Sequence, residues 1–238
     1  MKVLGFDSVS SSCSVAILED NKVSYSKVLR MERGHAESLV PMINEAVLTT
    51  CDNFSQIDLV GCTVGPGSFT GVRVGLSTAI GLSVSANKPL IGVTSFEVVA
   101  ERIKMTKKQN EQLLVVVLET KRNDFFVQTF SVESRPLDQP SSIKAKEFVE
   151  YLLSLKNPYN HILLAGDGVG RALGYVKDKP ANLNLTLEEG YGGPQAWDIA
   201  TLVKSKFESN QSFPIPKPLY LRQPDVTKQK VLEKTKDS

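Results

Sequence analysis

Three strand-like runs open this chain, KVLGFDS, SCSVAILED and KVSYSKVLR, and the last two are joined by Asp20-Asn21. Asp and Asn tolerate the left-handed backbone that a two-residue hairpin turn needs, so the three runs read as an antiparallel meander. Helical spacing takes over at His35–Thr50, where Ala36, Leu39, Val40, Ile43, Ala46 and Val47 recur on one stripe and Glu37 and Glu45 lie off it. A strand at 57–64, a glycine-interrupted helix at 70–86, the strand PLIGVTS and a helix near 96–105 follow. The order β-β-β-α-β-α-β-α leaves few arrangements open. It predicts a mixed sheet with helices on both faces.

From about Gln109 a second, shorter pass begins: a hairpin LLVVVLET-KRND-FFVQTF, a helix near 144–155, the strand HILLAG and a helix around 195–207. Each pass has the element order of a ribonuclease-H-like unit. Two in tandem are the plan of the actin-like (ASKHA) superfamily, so the fold class expected is α/β, two ribonuclease-H-like lobes with the second trimmed. The polar stretch RIKMTKKQNEQ marks the boundary. The lobes are read as 1–108 and 109–226, and residues 227–238 as a disordered basic tail.

Charge and cysteine content narrow the classes. The chain carries 28 basic and 26 acidic residues, spread along it, for a net charge of +2. That balance argues against a nucleic-acid footprint, even with the lysine-heavy end TKQKVLEKTKDS. Cys13, Cys51 and Cys62 have no C-x-x-C spacing, which suggests neither a disulfide framework nor a zinc ribbon. Asp7 interrupts any signal-peptide core. The longest strongly apolar run, Leu113 to Leu118, is too short to span a bilayer, and a cytoplasmic protein is expected.

The stretch VGPGSFTGVRVGLSTAIGLSVSANKP, Val64 to Pro89, invites a phosphate-binding reading and fails it. A P-loop needs Lys and Ser/Thr after its last glycine, and here Gly71 is followed by Val-Arg-Val-Gly. A dinucleotide fingerprint needs a third glycine where Thr70 stands. What the helix does show is two rows of small residues: Gly71, Gly75, Ala79 and Ser83, and beside them Ser77, Gly81 and Ser85. Interior glycines cost roughly 1 kcal/mol each in helix propensity, so close packing must offset them. The packing surface is either this chain's own sheet and first helix or a helix of another subunit. Ser68 or Thr70 can cap the helix start, and Asn87 with Pro89 ends it.

Taken with VLGFDSVSSSCSVAI, GHAESLVPMI, VGPGSFTGVRVGLSTAIGL, PLIGVTSFEVVA, GDGVG and KPLYLR, the chain resembles the TsaB (YeaZ) family over nearly its full length, most strongly over residues 1–105. The resemblance implies a non-catalytic partner of the related subunit TsaD in the bacterial machinery that makes threonylcarbamoyladenosine next to the tRNA anticodon. TsaE is the third component, and contact with tRNA is indirect. It also implies that the helices at 35–50 and 70–86 pack against the matching helices of TsaD, or of a second copy in a homodimer. The residues assigned to that seam are His35, Leu39, Met42, Ile43, Gly71, Gly75, Ala79 and Leu82. On this reading a bulky residue at Gly75 breaks the complex and spares the fold. Metal and the ATP-derived threonylcarbamoyl-adenylate are expected on TsaD, and this chain requires no cofactor. In the register of TsaD's H-x-x-x-H metal motif it offers Ser95 and Val99, which cannot replace histidine ligands.

Other candidate chemistry is sparse. Asp7 ends the first strand, where actin-like enzymes hold a metal-bridging carboxylate, and Gly166 and Gly168 of AGDGVG lie where such folds contact adenosine; a structural turn explains each equally. The turn ETKRND, Glu119 to Asp124, lacks the glycines that let backbone amides converge on phosphate. SVSSSCS reads as a polar turn, His35 as a partly exposed interface residue and Trp197 as a core anchor. Two alternatives stay open: an ATP-dependent enzyme using Asp7 and the second-lobe glycines, and a glycoprotease-like hydrolase. For the latter, nothing marks His35 or His161 as a base.

Overall fold

The computed structural model describes residues 1–106, 112–155, 159, 161–177, 183–188, 193–209 and 213–222. The first half runs β1 (Lys2–Asp7), β2 (Ser12–Glu19), β3 (Lys22–Arg30), α1 (His35–Thr50), β4 (Leu59–Thr63), α2 (Phe69–Ala86), β5 (Leu90–Val93) and α3 (Ser95–Thr106). The second runs β6 (Gln112–Glu119), β7 (Asp124–Phe130), β8 (Ser141–Lys144), α4 (Phe148–Ser154), β9 (His161–Ala165), α5 (Val169–Val176), β10 (Leu185–Glu188) and α6 (Ala196–Glu208).

The two five-stranded sheets have one plan. The first has the order β3-β2-β1-β4-β5 and the second β8-β7-β6-β9-β10. In each, three antiparallel strands are followed by two parallel ones. Asp20 and Asn21 turn the β2–β3 hairpin at φ 45° and 69°, the left-handed values their residue types tolerate. The second sheet is as wide as the first; its trimming lies in the helices, with α4 and α5 only 7 and 8 residues long.

Three elements of that lobe escape the sequence reading for identifiable reasons. β8 is a polar edge strand, Ser-Ser-Ile-Lys, with no apolar alternation. β10 is four residues long and also polar in part. Gly170 and Gly174 disguise α5, although Val169, Ala172 and Val176 do fall on one buried face.

Alternation along β1 and β6 shows how the layers are built. On β1, Leu4 and Phe6 face the core under α1 and α2, while Val3 faces α6. On β6, Leu113, Val115 and Val117 face α4 and α5, while Leu114, Val116 and Leu118 face α3. Thus the unbroken apolar run is a strand covered on both sides.

The covering helices are exchanged. α3, from the first half of the chain, packs on the second sheet, and α6, from the second half, packs on the first. Arg102 of α3 reaches Asp198 of α6 through Nε at 2.7 Å, and Lys206 Nζ meets Glu97 Oε1 at 2.8 Å. Trp197 is only half-buried, with Arg102 over its ring at 5.6 Å, so it edges this helix pair rather than anchoring a core. The boundary read at 108/109 and the tail 227–238 lie outside the described residues.

Glycines let α6 lie this close. A Cβ on Gly5 would stand 2.4 Å from the Ala196 carbonyl oxygen, and one on Gly61 would stand 2.6 Å from a Val203 methyl. Ala196 N–H donates to Ser14 Oγ at 3.1 Å, which fixes the first turn of α6 on β2. Gly5→Val is therefore expected to cost about 3 kcal/mol or more, because backbone must shift; a urea titration against the parent protein checks it. A fragment ending at residue 108 is expected to stay unfolded by circular dichroism, since Val3, Leu59 and Val93 lose their α6 cover.

Candidate functional site: the interlobe cleft and the outer helix face

The glycine loop before α2 is built for packing. A Cβ on Gly67 would fall 2.4 Å from the Val9 carbonyl oxygen, and one on Gly71 1.9 Å from that of Ser8. Ser68 N–H donates to Val9 O at 2.8 Å, and Ser8 Oγ donates to Gly71 O at 2.8 Å. These contacts clamp the loop to the β1–β2 turn. Ser68 caps α2 by accepting from Gly71 N–H at 3.2 Å, and Asn87 ends the helix at φ 51°.

Between the lobes lies a cavity of about 570 Å³. Its floor and walls include Ser10, Gly67 and Phe69 from the first lobe and Glu119, Phe126 and Asp167 from the second. Asp7 does not line it. Its buried carboxylate accepts from Ser10 Oγ at 2.6 Å, from the Val9 and Ser10 amides at 3.3 Å, and from the Thr63 hydroxyl. Burial raises its pKa and these hydrogen bonds oppose the rise, so Asp7 works as the knot of the β1–β2 turn.

Gly166 and Gly168 also serve the backbone. Gly166 sits at φ +119°, where a Cβ would meet Val117 O at 2.3 Å, and Gly168 N–H donates to that same oxygen at 3.0 Å. The residue between them, Asp167, is the one that lines the cavity, and the sequence motifs did not single it out. Its Oδ1 accepts from Glu119 N–H at 2.9 Å. Burial, with help from the charges of Glu119 and Asp7, pushes its pKa up to about 6. An acidic residue inside a glycine turn was the available signal.

The second-lobe turn carries its own anion. Glu119 Oε1 accepts from the Thr120 and Lys121 amides at 2.8 and 2.6 Å, and its carboxylate is held by Arg171 in two hydrogen bonds of 2.8 Å. Burial works against the charge, and Arg171 with the turn amides prevails, leaving the Glu119 pKa below the usual range. The amides that would cradle a phosphate in this turn are thus occupied by a side chain of the chain itself.

Among the described residues, no serine or cysteine side chain is hydrogen-bonded to a histidine. Burial raises the Cys13 and Cys62 thiols to about 11 and about 12. His161 Nε2 bonds Thr186 Oγ1 at 2.8 Å. His35, read as partly exposed, is 8% exposed, and its Nε2 has no hydrogen-bond partner. No group of three or more His, Cys, Asp or Glu among these residues is placed to hold a metal. Val99, in the register of the H-x-x-x-H motif, is buried in the α3 core, and Ser95 Oγ donates to Pro66 O at 2.9 Å.

The residues assigned to a partner seam are mostly covered by this chain itself. His35, Leu39, Met42, Ile43, Gly71, Gly75 and Ala79 are buried, and Leu82 is partly so. A Cβ on Gly75 would stand 2.5 Å from Ser8 Oγ, so the first small-residue row faces the chain's own β1–β2 turn. A bulky residue at Gly75 thus attacks the fold itself, contrary to the sequence expectation. The second row faces out. Ser77, Gly81 and Ser85 are exposed, beside Val84 at 77%, and α1 presents Val40 at 55% and Leu48 at 64%. By length and composition α2 is apolar enough to cross a bilayer, and only 28% of it is buried.

Two sheets of this order enclosing a cleft define an actin-like protein. The likeness extends to a solved polyphosphate/ATP-glucomannokinase from Arthrobacter sp. strain KM, with a TM-score of 0.53 at 7% identity, covering 88% of this chain and 99% of that one. YeaZ from Pseudomonas aeruginosa gives a TM-score of 0.72 at 21% identity, covering 92% and 100%. The family model described as TsaD, tRNA N6-adenosine threonylcarbamoyltransferase, matches residues 29–181. The tRNA threonylcarbamoyladenosine biosynthesis protein TsaB of Escherichia coli K12 is 35% identical over 101 residues, 42% of this chain and 43% of that protein. The chain belongs to the TsaD family, on its TsaB (YeaZ) branch. It aligns with less than half the length of the E. coli relative.

Asp167 gives a pH test. Its folded pKa lies above the ordinary aspartate value, so its stabilising contribution is complete below about pH 4 and is lost as pH rises through about 6. Asp167→Asn keeps the acceptor for Glu119 N–H and removes the charge. It is expected to be more stable than the parent by about 2 kcal/mol at pH 7 and equal to it below pH 4, as read by denaturant melts across that range.

Proposed function

We propose that this chain is a non-catalytic subunit of the machinery that makes threonylcarbamoyladenosine in tRNA, and that it docks on TsaD through the outer faces of α1 and α2. The observation that carries this reading is α2 itself: an apolar helix with less than a third of its length buried, presenting small residues and Val84 outward. Small side chains let a second helix approach closely, and apolar neighbours supply the gain on burial. The names of the curated relatives supply the pathway. The self-occupied turn at Glu119 supports placing the metal, the threonylcarbamoyl-adenylate and the transfer chemistry on TsaD. TsaE completes the assembly, contact with tRNA is indirect, and the compartment is the cytoplasm. The same outer face accommodates a second copy of this chain, so TsaD is expected to displace a homodimer.

Size-exclusion chromatography with light scattering, on the chain alone and mixed with TsaD, tests the proposal. A defined heteromeric peak is expected, and two unmixed peaks at micromolar concentration would refute it. Val84→Glu is expected to weaken the complex at least tenfold, about 1.4 kcal/mol, with an unchanged melting temperature. Gly75→Leu is expected to lower the melting temperature whether or not TsaD is present.

A further inference from the structure

We infer that the segment 213–222 is a strap that holds the two lobes closed over the cleft. It has no helix or strand of its own, yet it is tied down at intervals. Phe213 packs on the core under α6, and Pro216 runs so close to β5 that a Cβ on Gly92 would stand 2.6 Å from its ring. Leu219 N–H donates to Val64 O at 2.8 Å, extending the end of β4, and its side chain joins the core of the first lobe. Tyr220 stacks on Phe69 at 5.1 Å and accepts from Arg73 Nε at 3.3 Å. All of these contacts belong to the first lobe.

The chain then crosses. Leu221 packs with α3 and the second sheet, and Arg222 pairs with Asp124 at the start of β7 while its guanidinium lies 5.8 Å from the Phe126 ring. Asp124 is fixed in turn by Thr120 Oγ1 and Ser142 Oγ, each donating at 2.7 Å. Residues 219–222 form one wall of the cavity. The strap thus ends on a rigid carboxylate across the cleft. A second bridge across the mouth, Lys121 Nζ to Glu32 Oε1 at 3.5 Å, joins two exposed side chains and contributes little. Arg222 is partly shielded, with its pKa lowered by burial and by Arg122, so its counter-ion matters more than that of an exposed arginine. The inference is independent of what binds α1 and α2.

Spin labels at Glu32→Cys and Lys121→Cys, which face each other across the mouth, read the closure. The native cysteines are buried and do not compete for label. In the full-length chain, the doubly labelled parent is expected to show strong spin–spin broadening. Adding Arg222→Ala is expected to remove most of it while circular dichroism stays that of the parent, and Arg222→Lys is expected to retain part of it. Parent-like broadening in folded Arg222→Ala would overturn the inference. If Arg222→Ala fails to fold, Arg222→Lys decides: reduced broadening supports the strap, and the parent lineshape overturns it.

Discussion

The approach of α6 to the glycines of β1 and β4 is the contact on which the rest depends. Gly5 and Gly61 remove the side chains that would hold the helix away, and Ile199, Ala200 and Val203 then seal a sheet face that the first half of the chain leaves bare. The exchange runs both ways, because α3 seals the second sheet with Phe96, Val99 and Ile103. Neither lobe has a complete core without the other's helix. The cleft follows from this, since the exchange sets the two sheets side by side with their strand-end turns facing each other.

Those turns are held by contacts within the chain. The β1–β2 turn is knotted on Asp7, the glycine loop is clamped to it at Gly67 and Gly71, and the β6–β7 turn gives its amides to Glu119. Each arrangement satisfies polar groups with partners from the chain itself. Asp167 is the exception: its carboxyl reaches the cleft, and burial lifts its pKa toward neutrality.

The outer sides of α1 and α2 carry exposed apolar side chains, Val40, Leu48 and Val84. Helix α2 has two faces made of similar small residues, and they do opposite things. Gly71 and Gly75 admit the β1–β2 turn, whereas a Cβ on Gly81 would meet nothing within 4 Å, which leaves room for another molecule. The two rows are offset by two positions in sequence.

The sequence by itself determined the order of elements in the first lobe, the hairpin at Asp20-Asn21, the limits of α1 and the Asn87 stop, because each rests on local backbone preference or on a period of side chains. Only the tertiary structure decided that α3 and α6 change places, that the first glycine row faces inward, that His35 is buried and that Asp167, not Gly166 or Gly168, reaches the cleft. β8 and β10 likewise owe their existence to neighbours that offer unpaired strand edges, more than to their own composition. Small residues carry no outward or inward mark: whether a glycine row admits a turn of its own chain or a helix of another depends on what packs there, and that is a property of the assembled fold.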